Sequence, residues 1–163
     1  GTKAFSPGTC KGVTINNEGR VTDFNINNIP LGNYMLIIPK EIGLLTNLQH
    51  IDLSHNSLYG LPTEIGLLNN LIYLNLESND LNSIIVKSLG KLINLTYLNL
   101  NMSNIYSNIP TELGMLNNLK ELHLSTNALI GNSIGEKKEE ESCVCLCVLH
   151  RLRELFVFFC SSF

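Results

Sequence analysis

The sequence predicts an α/β solenoid, with short parallel strands on a concave face and irregular, 3₁₀ or short helical segments on the convex side. Three observations carry this prediction. Leucines open successive units at Leu48, Leu71, Leu95 and Leu119, at steps of 23, 24 and 24 residues. A fixed period in this range marks a unit that buries its apolar edge only against its neighbours. Within each unit apolar residues fall at positions 1, 4, 6 and 11, as in Leu71, Leu74, Leu76 and Leu81 or Leu95, Leu98, Leu100 and Ile105. The second half of each unit repeats an apolar residue followed by glycine: Ile42-Gly43, Ile65-Gly66, Leu89-Gly90 and Leu113-Gly114.

Each element follows from this pattern. Positions 4 to 6 alternate with period two, so they read as a very short strand whose side chains at 4 and 6 enter the core. Positions 3, 5 and 7 then point outward. Position 9 holds Asn56, Asn79, Ser103 and Asn127, placing a side-chain amide or hydroxyl where the chain turns inward. Backbone groups in a buried turn need partners, and a stacked column of these side chains supplies them from repeat to repeat. Leu89, Leu92 and Leu95, like Leu113, Leu116 and Leu119, stand three apart, which suits a short helical or 3₁₀ return along the convex side. The glycine there permits close packing or an unusual dihedral.

The motif LxxLxLxxNxL followed by IPxEIGxL resembles the leucine-rich repeats of the plant-type extracellular class, found in receptor-like kinases and receptor-like proteins. The resemblance runs over about residues 11 to 134. It implies a curved solenoid, a parallel sheet lining the concave face, and recognition of a protein or peptide ligand. It also implies a fragment of a receptor-like protein at the cell surface or outside the cell. The alternative is an intracellular leucine-rich repeat scaffold with reduced thiols. In that family the N-terminal cap carries a Cys-Trp-Gly-Val-Cys type sequence whose cysteines pair. Here Cys10 is followed by Lys11-Gly12-Val13-Thr14, Ile15 stands at the second cysteine, and the chain has no Trp. Residues 1–20 therefore read as a truncated or degraded cap.

Residues 21–134 hold about five repeats. The first is imperfect: Val21, Phe24, Ile26 and Leu31 take positions 1, 4, 6 and 11, and the step to Leu48 is lengthened by residues lying between Gly32 and Pro39. Such a surplus is expected as a loop at the edge of the strand stack. The second unit is one residue short, at Leu61-Pro62. Residues 135–163 form an acidic linker and a hydrophobic C-terminal segment. That segment reads as a strand leading into, or replaced by, a short cap helix, and a translated non-coding stretch is the rival account. No basic segment followed by an apolar run precedes the repeats, so a signal peptide is read as absent or already removed.

A formal net charge of -3 offers no positive field for nucleic acid. No run reaches the roughly 18 apolar residues of a membrane span. No phosphate-binding glycine loop, GxSxG elbow, HExxH or kinase signature occurs, so neither catalysis nor a cofactor is supported. His50 and Asp52 share a face, but His123 lies three repeats away, about 14 Å by strand spacing, so no metal site is read. Cys143, Cys145 and Cys147 alternate without a second paired cluster and are read as buried or adventitious.

The outward column is the candidate site. Position 3 contributes Asp23, His50, Tyr73, Tyr97 and Glu121; position 5 contributes Asn25, Asp52, Asn75, Asn99 and His123. Position 7 adds Asn27, Ser54, Glu77, Asn101 and Ser125, with His55 and Met102 at position 8. Parallel strands lie about 4.8 Å apart, so Tyr73 and Tyr97 are expected side by side. With His50, Asp52, Asn75, Glu77, Asn99, Glu121 and His123 around them, they offer an amphipathic surface for a peptide or protein, because tyrosine gives large contact area at low entropy cost. Two sequons occur, Asn94-Leu95-Thr96 and Asn101-Met102-Ser103. Asn94 is the better candidate for a glycan, since Asn101 falls on the concave face.

Overall fold

The computed structural model describes residues 11–28, 36–82 and 85–130, and the backbone of Leu146–Val148. Seven strands form one sheet in chain order: β1 (Val13–Ile15), β2 (Val21–Asn25), β3 (His50–Asp52), β4 (Tyr73–Asn75), β5 (Tyr97–Asn99), β6 (Glu121–His123) and β7 (Leu146–Val148). From β2 to β6 every pairing is parallel, and equivalent positions face one another: Phe24, Ile51, Leu74, Leu98 and Leu122 run in one row. Equal unit length is the cause, because each turn of chain returns to the same place beside the last.

Strands β3 to β6 occupy positions 3 to 5, one residue earlier than the alternation suggested, and β2 runs from position 1 to 5. Position 6 nevertheless stays in the ladder, with Leu53 N donating to Asn75 O at 2.9 Å and Leu76 N to Asn99 O at 2.9 Å. Positions 1, 4, 6 and 11 point inward and make the core: Leu48, Leu71, Leu74, Leu95 and Leu98 have no exposed surface, and Leu58, Leu81 and Ile105 close the far side. Burial of each such side chain favours the fold by about 1.5–3 kcal/mol.

The convex side consists of 3₁₀ helices, η1 (Lys40–Leu44), η2 (Thr63–Leu67), η3 (Lys87–Lys91) and η4 (Thr111–Met115). Pro39, Pro62 and Pro110 precede three of them, with φ near the value the ring imposes, and Val86 holds the same extended backbone before η3. Each helix closes through an N–H reaching back three residues, as Leu68 N does to Ile65 O at 3.2 Å. Five residues separate these prolines from Leu45, Leu68 and Leu116, which close the helices, and that is room for one tight turn. Glycine serves close packing here: a Cβ on Gly66 would stand 2.5 Å from Ser88 O and 2.7 Å from Ser88 Cβ of the next repeat.

Both ends of the sheet depart from the repeat. β1 pairs antiparallel with β2, with an irregularity between Thr14 and Ile15. Its turn is organised by Asn16, whose Oδ1 accepts from Glu18 N and Arg20 N, both at 3.0 Å. This strand falls inside the stretch read as a degraded cap, and three residues are too few to announce it by alternation. At the other end β7 pairs antiparallel with β6, where continuation of the repeat would have been parallel. Cys10, Leu31, residues 32–35 of the stretch read as an insertion, the acidic linker, the expected cap helix, Cys143 and Cys145 lie outside the described residues, and Cys147 is described only through its backbone. Leu36 forms a parallel bridge to Leu58, so Leu36 and not Leu31 takes position 11 of the first unit, and the surplus residues come before it. Among the described residues no helix is long and apolar enough to cross a membrane.

Candidate functional site

The parallel register brings position 3 of successive strands into one line on the concave face. Tyr73 and Tyr97 stack there with ring centroids 4.5 Å apart and planes 8° from parallel. His50 continues the line at one end, tilted against Tyr73 at 6.3 Å, and at the other His123, from position 5, tilts against Tyr97 at 5.3 Å beside Glu121, which holds position 3. Each histidine stands against a carboxylate: His50 Nδ1 lies 3.0 Å from Asp23 Oδ1, and His123 Nε2 lies 3.4 Å from Glu121 Oε2 on its own strand. A continuous row of rings with acidic ends therefore crosses five repeats. Sequence reasoning placed Asp23 in the outward column but left it out of the group around the tyrosine pair, and the structure brings it against His50.

The neighbouring polar residues divide into two groups. Asp52 and Glu77 keep partial exposure beside the stack. Asn75 and Asn99 instead lie beneath it, at 8% and 4% exposure. Asn99 Nδ2 donates to Glu77 Oε2 at 3.1 Å and to Tyr97 Oη at 3.3 Å, while its Oδ1 accepts from Asn101 N. Asn75 Oδ1 accepts from Glu77 N at 3.2 Å. These two amides position the tyrosine and glutamate side chains rather than facing solvent, because the flanking rings cover them. Burial is the main reason both phenols ionise above the ordinary tyrosine range. For Tyr73 the charges of Tyr97 and Asp52 act the same way, and for Tyr97 those of Glu121 and Glu77, against a lowering hydrogen bond from Asn99.

The scaffold under this face is tied by the position 9 column. Asn79 Nδ2 donates to Leu76 O at 2.8 Å and to Leu53 O of the preceding repeat at 2.9 Å, and its Oδ1 accepts from Leu58 N at 3.0 Å. Asn127 repeats the pattern toward Leu100 O and Leu124 O, and Asn56 toward Ile26 O and Leu53 O. Ser103, with a shorter side chain, reaches Leu76 O at 2.9 Å. Position 8, just before this column, holds left-handed backbone in every repeat: Asn28, His55, Ser78, Met102 and Thr126 have φ between 49° and 56°. No uniform compositional signal marks that position, because only Asn28 and His55 of the five are residue types enriched there.

The flank where the chain enters the strands carries a shallow depression of about 400 Å³, lined in part by Asn70, Asn94, Thr96 and Lys120. The amides of Asn70, Asn94 and Asn118 are each committed to a backbone carbonyl of the preceding repeat, at 2.7–2.8 Å. Asn94 is exposed here, whereas the second sequon is tied down: Ser103 has no exposed surface and Asn101 Oδ1 accepts from Ser125 N and Oγ. On the opposite flank a second tyrosine pair, Tyr59 and Tyr106, is linked through Asn82, a repeat at position 12 that the sequence reading did not single out.

The family described as a leucine-rich repeat region matches residues 31–163. No curated protein matches the chain at a significant level. Among solved structures, the BIR2 ectodomain from Arabidopsis thaliana is similar over 73% of this chain and 62% of its own, at 28% identity and a TM-score of 0.66. A chain of the BIR3–SERK2 complex, from the same plant, matches over 73% of this chain and 64% of its own, at 28% identity and 0.66. The ectodomain of the receptor kinase GASSHO1/SCHENGEN3 from Arabidopsis thaliana, solved with CASPARIAN STRIP INTEGRITY FACTOR 2, is 36% identical over 74% of this chain, with a TM-score of 0.66. This chain spans only 14% of that one and less than two thirds of the other two.

Proposed function

The chain belongs to the leucine-rich repeat family, in its plant-type class, and from that premise we propose that it is a non-enzymatic recognition module whose concave sheet binds a peptide or protein segment. The row His50, Tyr73, Tyr97 and His123 carries the reading. Its rings are held by one another and by buried amides, so little side-chain freedom is lost when a partner docks. The face is a broad open sheet rather than an enclosed cavity, which suits an extended segment better than a small molecule.

The test is selection of binders from a displayed peptide library, followed by measurement on Tyr73→Ala combined with Tyr97→Ala. Loss of two central aromatic anchors should weaken binding about tenfold or more. Unchanged affinity in a variant that keeps its circular dichroism spectrum would remove this face from consideration. The same reading places the module outside the cell and Asn94 as its glycan acceptor, since a glycan there projects from the flank and leaves the concave sheet clear.

A further inference from the structure

Charge is segregated on this molecule. Among the described residues, positions 3, 5 and 7 of the five parallel strands hold four carboxylates, Asp23, Asp52, Glu77 and Glu121, and no Lys or Arg. Their contacts are with neutral donors or with histidine. Asp52 accepts from Ser54 N at 3.0 Å, Ser54 Oγ at 2.6 Å and Asn27 Nδ2 at 3.4 Å, and Glu77 accepts from Asn99 Nδ2. Asp23 accepts from Thr22 Oγ1 and faces His50, while Glu121 faces His123. The cations stand elsewhere: Lys87 pairs with Glu112 on the convex side, Arg20 with Glu18 at the first hairpin, and Lys120 sits on the entry flank.

The rings of the stack face one another and the histidines, so they present edges and hydroxyls to a visitor rather than their faces. A phenol oxygen accepts hydrogen bonds, as do the carboxylates on either side. This surface is rich in acceptors and poor in charged donors. A ligand that supplies positive N–H donors completes it, whereas an anionic one meets only like charge.

We infer that the partner of the concave face is a cationic extended peptide segment, whose Lys or Arg side chains engage Asp52, Glu77 and Glu121 around the Tyr73–Tyr97 stack. The inference rests on the concave-face reading above. The five parallel strands span about 19 Å, which about six residues of extended chain cover.

Fluorescence anisotropy with three labelled peptides of about eight residues, repeating Arg-Ser, Gln-Ser or Glu-Ser, tests it at about 50 mM salt. The Arg-Ser peptide should bind at least about tenfold tighter than Gln-Ser, with Glu-Ser weakest. Asp52→Asn combined with Glu77→Gln should weaken Arg-Ser binding about three- to tenfold. Glu41→Gln with Glu64→Gln makes the same change in net charge on the convex side and should leave binding within about twofold. Equal losses in the two double variants, or no Arg-Ser binding at about 1 mM, would overturn the inference. Binding of Gln-Ser or Glu-Ser as tight as Arg-Ser, yet lost with Tyr73→Ala and Tyr97→Ala, overturns the charge preference and leaves the face in place. Binding of all three that ignores those tyrosines overturns both.

Discussion

Replacing Asn79 by Ala tests whether the position 9 column holds the repeats together. Its amide makes bonds of unequal worth. Leu58 N finds its acceptor in Asn79 Oδ1, in a buried place, so the substitution orphans that donor at about 2 kcal/mol. Of the three carbonyls it serves, Leu53 O keeps Asn56 Nδ2, Leu76 O keeps Ser103 Oγ and Glu77 O keeps His55 N, so the two shorter bonds cost only about 0.5 kcal/mol each and the 3.3 Å bond to Glu77 O adds little. The sum is about 3 kcal/mol. Ser103→Ala is the comparison: Leu76 O keeps Asn79 and Asn101 O keeps Ser78 N, so about 1 kcal/mol is lost. Guanidinium unfolding followed by circular dichroism measures both. A loss at Asn79 no greater than that at Ser103 would refute the orphaned-donor reasoning.

Three further outcomes follow from the geometry. Gly66→Ala should destabilise by about 1–3 kcal/mol in the same assay, because the methyl meets the Ser88 backbone, while Gly114→Ala, with nothing among the described residues within 4 Å, should be neutral or slightly stabilising. Met102→Asn and Thr126→Asn should each stabilise by about 0.5–1 kcal/mol, since both native residues sit in left-handed backbone that Asn28 already occupies in the first repeat. Ultraviolet absorbance titration should find two phenols ionising above the ordinary value of 10.0, and Tyr73→Phe with Tyr97→Phe should remove those late steps. Because folding raises these pKa values, the contribution of the pair is whole below pH 10 and fades as pH rises through the folded values, so denaturant resistance should fall there.

Much of the site was legible because a solenoid converts sequence spacing into spatial adjacency. Tyr73 and Tyr97, 24 residues apart, had to be neighbours once the units were of equal length. What register does not reveal is depth. Asn75 and Asn99 share position 5 with Asp52, yet the tyrosines flanking them and the glutamate above cover the amides, while Asp52 has His50 beside it and stays partly exposed. The charge of the face was likewise present in the residue list, but its isolation from every Lys and Arg among the described residues became visible only when the flanks and convex side were assigned.

The sequence alone determined the period, the buried leucines, the Asn column and the direction in which each unit stacks, because all of these depend on local pattern repeated at constant length. Tertiary structure decided what repetition cannot encode. It closed the two ends with antiparallel strands, since a sheet edge lacks the next unit that would pair it. It also placed left-handed backbone under five different residue types, because the turn into the core demands that geometry whichever side chain occupies it.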